Sequence, residues 1–122
     1  MDYEKKGKLK LEKILGKKIS EKALSNFDDL DPKIGKLLSF TYGKIYESDI
    51  LDLKTRQLCT IAALTVLGNY KPHLKTHING AINVGASQEE IIEVIVQMIA
   101  YAGFPAATTA LSAALEIFQD KE

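Results

Sequence analysis

The sequence predicts an all-α fold of about six or seven helices, and three observations support this class. Helix start and stop signals recur along the whole chain, with capping residues or prolines before apolar stripes and glycines after them. The stripes follow the helical period rather than the alternation expected of a strand. The length of 122 residues, with 46% apolar and 26% charged residues, is typical of one soluble domain, which we expect to span residues 1–122.

Three helices are predicted in the first part of the chain. An apolar stripe at residues 11–15 predicts the first, and Ser20 is predicted to cap a short second helix that reaches Phe27. Asp31 and Pro32 predict the start of the third, because aspartate caps helices well and proline loses no hydrogen bond in a first turn. The apolar and aromatic positions of this third helix follow the helical period: Ile34, Leu37, Leu38, Tyr42 and Ile45.

The middle of the chain predicts a helical hairpin. Asp52 is predicted to cap a helix that runs to Gly68, and Pro72 to start a second helix that ends at Gly85. A short turn joins these two helices.

Two further helices follow. Ser87 and Glu90 have the spacing of a capping box, which favours a helix over the β-branched run at residues 91–99, although that run alone resembles a strand. Gly103 is predicted to end this helix, and Pro105 to open an alanine-rich last helix. We find no convincing strand in the sequence.

The helix over residues 89–102 is apolar nearly all round, which is typical of a buried helix. A domain of this size rarely has a fully central helix, so part of this surface is expected to meet another subunit. Small side chains at residues 106–114 permit close helix packing. These features predict a homo-oligomer, with a tight monomeric bundle as the alternative.

Composition excludes several classes of function. The formal net charge of +0 gives no electrostatic reason to expect nucleic acid as a partner. No apolar run approaches the roughly 18 residues of a membrane span, and the charged N-terminal segment lacks a signal-peptide core. The single cysteine, Cys59, cannot form an internal disulfide. We therefore expect a cytoplasmic protein without nucleic-acid or membrane partners.

The groups suited to chemistry near neutral pH fall on the predicted hairpin. His77 titrates near working pH, but a structural histidine bonded to a backbone carbonyl is also possible. Arg56 is the only arginine and could bind a carboxylate with two parallel hydrogen bonds, or pair with a nearby aspartate. His73 lies four residues before His77 on the same helix face; two histidines could contribute to a zinc site, but no third ligand is evident, so no metal is predicted.

Three other residues are candidates for substrate contacts. Cys59 is either a small buried hydrophobic residue or a reactive thiol. Tyr70 and Glu47 could line a pocket and orient a polar ligand, although surface or core roles are more common for both residue types.

Several spaced motifs in residues 37–118 resemble the carboxymuconolactone decarboxylase family. They comprise Leu53-Lys54-Thr55-Arg56 before an apolar helix, His77 followed by Gly80-Ala81, and Tyr101-Ala102-Gly103 before a proline. The resemblance implies an all-α fold shared with alkylhydroperoxidase D and ring-like homo-oligomers, hexamers or trimers. Residues 1–31 lie outside it and are expected to form a helical N-terminal extension.

This family holds two chemistries. The alkylhydroperoxidase-like branch uses a Cys-x-x-Cys-x-x-x-His motif and a glutamate on the preceding helix. His77 matches its histidine, but Tyr70 and His73 occupy the cysteine positions and Gln57 occupies the glutamate position. One thiol per subunit excludes a dithiol relay within the subunit.

The resemblance therefore fits the branch that decarboxylates without a cofactor. It implies loss of CO₂ from a small carboxylated lactone, with His77 and Arg56 as the catalytic residues and His73, Glu47, Tyr70 and Cys59 near the substrate. The alternatives are a thiol-dependent peroxidase that uses Cys59 and a non-catalytic oligomeric binding protein.

Overall fold

The computed structural model describes residues 2–68 and 70–121, which form seven helices and contain no strand. The prediction of an all-α fold is confirmed. The helices are α1 (Tyr3–Leu15), α2 (Lys17–Leu30), α3 (Pro32–Ile45), α4 (Leu53–Val66), α5 (Lys71–Asn83), α6 (Gln88–Ala102) and α7 (Phe104–Asp120). No helix among the described residues is long and apolar enough to cross a membrane. The chain divides into two compact units, Met1–Leu51 and Asp52–Glu122.

The first unit consists of α1, α2 and α3, and its tightest contact joins α1 to α3. Gly7 on α1 and Gly43 on α3 are both buried at this contact. A Cβ atom on Gly7 would overlap the carbonyl oxygen of Ser39, and one on Gly43 would overlap the carbonyl oxygen of Tyr3. The two backbones can approach this closely because neither glycine carries a side chain.

The helix starts of the first unit agree with the sequence at Asp31 but not at Ser20. The Asp31 carboxylate accepts a hydrogen bond from the Lys33 N–H at 2.9 Å, as expected of a cap. The prediction that Ser20 caps the second helix is wrong, because α2 already begins at Lys17. The Ser20 hydroxyl lies inside that helix and donates to the Lys17 carbonyl at 3.0 Å.

The second unit packs α4, α5, α6 and α7 around one apolar core. The cap predicted at Asp52 is confirmed, since its carboxylate accepts from the Thr55 N–H at 2.8 Å. The capping box before α6 is also confirmed. The Glu90 N–H donates to the Ser87 hydroxyl, and the Ser87 N–H donates to the Glu90 carboxylate, both at 3.0 Å. This box explains why the β-branched run that follows is a helix.

Helix α6 buries only one of its faces within a single chain, so the prediction that it is fully buried does not hold for the chain alone. Ile91 and Ile95 are fully buried in the core, whereas Ile92 and Val96 are 38% and 43% exposed. A second subunit covering Ile92 and Val96 would remove apolar surface from water. The homo-oligomer stays a prediction.

We predict that Gly7→Ala destabilises the chain by about 1–3 kcal/mol, because the added methyl group must push α1 away from the Ser39 carbonyl on α3. The measurement is urea unfolding followed by far-UV circular dichroism. Lys8→Ala is the matched control, since it adds no atoms and changes the exposed neighbour on the same helix. Equal stability of Gly7→Ala and Lys8→Ala would show that the α1–α3 contact tolerates a Cβ.

Candidate active site

Packing of α4 against α5 brings Gln57 and His77 into contact, although they lie 20 residues apart. The Oε1 atom of Gln57 lies 3.1 Å from the Nδ1 atom of His77. The cap at Asp52 places Gln57 in the second turn of α4, and Pro72 lies in the first turn of α5, ahead of His77. The contact thus joins two well-defined helices rather than mobile loops.

Gln57 is a buried polar residue with only half of its amide satisfied. The side chain is 0% exposed, and its Nε2 atom has no hydrogen-bond partner among the described residues. A buried donor without a partner costs about 1–3 kcal/mol, so native proteins rarely retain one without a reason. The burial of the Gln57 amide therefore needs a reason other than helix formation.

From Gln57 on α4, a row of polar side chains extends along one face of α5 to the surface. His77 is half-buried, and His73 is exposed one turn earlier on the same face. The rings of His73 and Tyr70 meet edge to face, with centroids 5.4 Å apart, and Tyr70 is 64% exposed. We call Gln57, His77, His73 and Tyr70 the hairpin row; it connects the interior of the second unit with solvent.

His77 is held in its neutral form by its surroundings. Burial lowers the pKa of His77 below its ordinary value of 6.5, because the imidazolium loses hydration. The nearby imidazole of His73 lowers the pKa of His77 further, because two positive charges repel. Near neutral pH, the lowered pKa favours the neutral imidazole of His77, whose Nδ1 atom lies beside Gln57.

Arg56 directly precedes Gln57 on α4 and is half-buried. Its backbone N–H donates to the carbonyl of Asp52 at 3.0 Å, as part of the start of the helix. Consecutive residues of a helix point about 100° apart, so Arg56 lies beside the hairpin row rather than in it. A role for Arg56 in holding a carboxylate stays a prediction.

Cys59 is exposed, so its interpretation as a small buried hydrophobic residue is wrong. It lies two positions after Gln57, about 200° around α4. Because Gln57 points into the unit towards His77, Cys59 points away from both. Within one chain, Cys59 is therefore not part of the hairpin row, and its predicted place near a substrate stays a prediction.

Glu47 belongs to the first unit, just after α3 ends. Its carboxylate forms an ion pair with Lys44 in that unit, with Nζ and Oε1 separated by 3.6 Å. The predicted contact of Glu47 with a substrate stays a prediction.

Gln57 is the candidate site residue that sequence reasoning alone did not select. The sequence marked it only as a replacement for the glutamate implied by the resemblance, and therefore as a lost base. In this chain, however, the side chain at this position lies within hydrogen-bond distance of His77. The available signal was its place immediately after Arg56 on the helix that precedes His77.

No group of three or more histidine, cysteine, aspartate or glutamate side chains is arranged to hold a metal ion in residues 2–68 and 70–121. His73 and His77 thus gain no third ligand of these types there.

Comparisons with known proteins point to one family. A family model described as the carboxymuconolactone decarboxylase family matches residues 32–116. The chain is 33% identical to 4-carboxymuconolactone decarboxylase of Acinetobacter baylyi over 108 residues, which cover 88% of this chain and 80% of that protein. It is 36% identical over 107 residues to an uncharacterized 15.0 kDa protein from the nqo9-nqo10 intergenic region of Paracoccus denitrificans, covering 82% and 80%. It is also 30% identical to Peroxisomal protein 2 of Schizosaccharomyces pombe over 94 residues, covering 75% of this chain and 43% of that protein.

We predict that His77 titrates below 6.5 and that His73→Gln raises the pKa of His77, because a like charge is removed. The pKa should remain below 6.5 in this variant, since burial is the larger cause. Proton NMR of the two imidazoles across pH measures both values, and the variant assigns the signals. A pKa of His77 above 6.5 in the wild type would contradict the neutral histidine.

The same shift has a consequence for stability. Because the folded chain holds His77 neutral, the unfolded chain binds more protons once the pH falls below about 6.5. We therefore expect His77 to contribute to a loss of stability as the pH falls from 6.5 through the folded-state pKa. Urea midpoints above and within this window, compared between wild type and His77→Gln, measure that contribution. Parallel curves for the two proteins would argue against it.

Proposed function

Since the chain belongs to the carboxymuconolactone decarboxylase family, we propose that it removes CO₂ from a small carboxylated lactone without a cofactor. The observation that carries this proposal is the contact of half-buried His77 with Gln57 through Nδ1, which leaves Nε2 as the ring nitrogen that a substrate would meet. The lowered pKa of His77 supports it by favouring the neutral ring. The substrate class follows from the relative in Acinetobacter baylyi, whose name states its reaction.

The reaction needs three things from a protein. When the bond between carbon and the carboxylate breaks, its electron pair moves into the conjugated lactone carbonyl and forms an enolate. A cation must hold the carboxylate, a donor must stabilise the enolate oxygen, and a proton must finally reach the carbon. A cation and a neutral hydrogen-bond donor beside a partly desolvated site meet the first two requirements, and water can meet the third by supplying the proton.

We assign the hydrogen-bond donor to His77 and the cation to Arg56. The lowered pKa of His77 argues against an imidazolium acid near neutral pH and favours a neutral N–H that bonds the enolate oxygen. Arg56 has a planar guanidinium that can present two parallel N–H donors to a carboxylate. His73 and Tyr70, at the exposed end of the hairpin row, would contact the outer part of the substrate.

A second function, peroxide reduction by a single thiol, is supported by the exposure of Cys59. A peroxidatic thiol must be accessible to its substrate, and Cys59 meets that requirement. It would act without help from His77 of the same chain, because the Cys59 side chain lies on the side of α4 that faces away from His77. The thiol would also need a reductant or a second thiol from outside the chain.

We predict that His77→Ala lowers kcat for CO₂ release from a carboxylated lactone by about 10²-fold or more, because the developing enolate loses its donor. Arg56→Lys should raise KM more than it lowers kcat, because a point charge replaces a bidentate fork. The assay is CO₂ release with 4-carboxymuconolactone as the first substrate. Thr76→Ala, an exposed change on the same helix, is the matched control.

Two outcomes would sink the decarboxylase proposal. One is a chain that releases no CO₂ from any carboxylated lactone tested. The other is a His77→Ala variant as active as Thr76→Ala. Binding of lactones without turnover would favour the non-catalytic binding protein.

We predict that Cys59→Ser leaves CO₂ release unchanged, because the thiol points away from the hairpin row. Intact-mass measurement after treatment with a thiol reagent should show that native Cys59 reacts, since it is exposed. The same measurement after peroxide separates the two functions. Rapid formation of a sulfenic acid or an intersubunit disulfide, together with peroxide consumption lost in Cys59→Ser, would favour the peroxidase.

A further inference from the structure

The buried amide of Gln57 makes one polar contact and lacks another. Its Oε1 atom faces Nδ1 of His77 at 3.1 Å, while its Nε2 atom is buried without a partner. In this orientation Nδ1 of His77 must donate the hydrogen, and both hydrogens of the Gln57 amide nitrogen remain unsatisfied. Of the two orientations that the Gln57 amide can take at this position, this one has the higher free energy.

A half-turn of the amide exchanges its oxygen and nitrogen and leaves its volume unchanged. The Gln57 nitrogen then donates one hydrogen to Nδ1, and the carbonyl oxygen occupies the buried position without a partner. Only one N–H stays unsatisfied instead of two, and an under-satisfied carbonyl is tolerated more often than an orphaned N–H. The orientation after the half-turn is therefore the one with the lower free energy.

We propose that Gln57 is a positioning residue whose amide N–H donates to Nδ1 of His77 and fixes His77 as the tautomer that carries its proton on Nε2. His77 then presents an N–H, not a lone pair, to a substrate. The use of that N–H on a lactone enolate rests on the proposed function; the hydrogen bond itself does not.

A carboxylate at position 57 could not do this. An ionised glutamate only accepts hydrogen bonds, so it would require a proton on Nδ1 and would leave Nε2 of neutral His77 as a lone pair. It would also stabilise the imidazolium and raise the pKa of His77. The uncharged amide avoids both effects, so Gln57 leaves the lowered pKa of His77 unopposed and still orders its protons.

The other groups around His77 agree with this assignment. On α5, His73 is the titratable group that acts on His77, and α4 contributes the neutral Gln57. No charged side chain of α6 or α7 in the described residues adds to the causes of the lowered pKa. Among the described residues, no anion acts on the pKa of His77 and so none draws a proton to Nδ1.

The assignment keeps the proposed reaction balanced. As the bond to the carboxylate breaks, CO₂ leaves and the electron pair forms the lactone enolate. The Nε2–H of His77 holds the enolate oxygen through a hydrogen bond without transferring its proton. Water supplies the proton that replaces CO₂ on carbon, and the hydroxide left behind is consumed by CO₂ as bicarbonate. No imidazolate and no external oxidant or reductant is needed.

The test is nitrogen NMR of the full chain labelled with ¹⁵N-histidine, because protonated and unprotonated ring nitrogens resonate in separate regions. His73→Gln leaves His77 as the only histidine and assigns its two signals. Spectra are recorded above the titration of His77, without substrate. We expect Nε2 to be protonated and Nδ1 unprotonated in the wild type.

Two variants at position 57 separate positioning from simple packing. In Gln57→Glu, the proton of neutral His77 should move to Nδ1, and the pKa of His77 should rise. In Gln57→Met, which has a similar volume but no donor, the single tautomer should give way to a mixture. Circular dichroism checks that each variant folds, and the wild-type spectrum decides by itself if either does not.

The proposal is overturned if wild-type His77 carries its proton on Nδ1, or if folded Gln57→Glu keeps the wild-type pattern above its titration. Because no substrate is present, either result is independent of the CO₂ assay. An Nε2–H tautomer in a chain that releases no CO₂ would keep the hydrogen bond and remove only its proposed use.

Discussion

The apolar packing of α4 against α5 determines the chemistry of the second unit. Ile61 on α4 and Leu74 and Ile78 on α5 are at most 1% exposed. Burial of each such side chain stabilises the fold by about 1.5–3 kcal/mol, whereas a hydrogen bond contributes about 1 kcal/mol net. Gln57 lies one turn before Ile61, and His77 is next to Ile78, so the apolar contact positions the polar one.

The position of that polar contact has electrostatic consequences. Burial that stabilises the hairpin also removes water from His77, and the lowered pKa follows from this desolvation. The same burial leaves the Gln57 amide with fewer partners than it can use. Both features arise because two polar side chains lie within an apolar helix contact, and the exposed His73 and Tyr70 connect this contact to solvent.

The fold could be predicted from the sequence where the signal is local. The caps at Asp31, Asp52 and Ser87 each bond a backbone N–H two or three residues away, so the sequence contains both partners. The cap predicted at Ser20 was wrong because a serine in a first turn can also bond back to the carbonyl three residues earlier. Cys59 misled because apolar residues lie on several sides of α4, and tertiary packing chooses the buried side.

The contact of Gln57 with His77 spans 20 residues, so no local pattern reports it.

The side chains that surround His77 limit the chemistry available to the hairpin row. The resemblance places thiols at the positions of Tyr70 and His73, and here a phenol and an imidazole meet edge to face instead. These groups donate and accept hydrogen bonds but form no disulfide, so the row can exchange hydrogen bonds but cannot pass electrons by thiol exchange. The one thiol of the chain lies on the other side of α4. The hydrogen-bond donation proposed for His77 and the thiol chemistry proposed for Cys59 therefore belong to separate places in the second unit, and a change at one should leave the other intact.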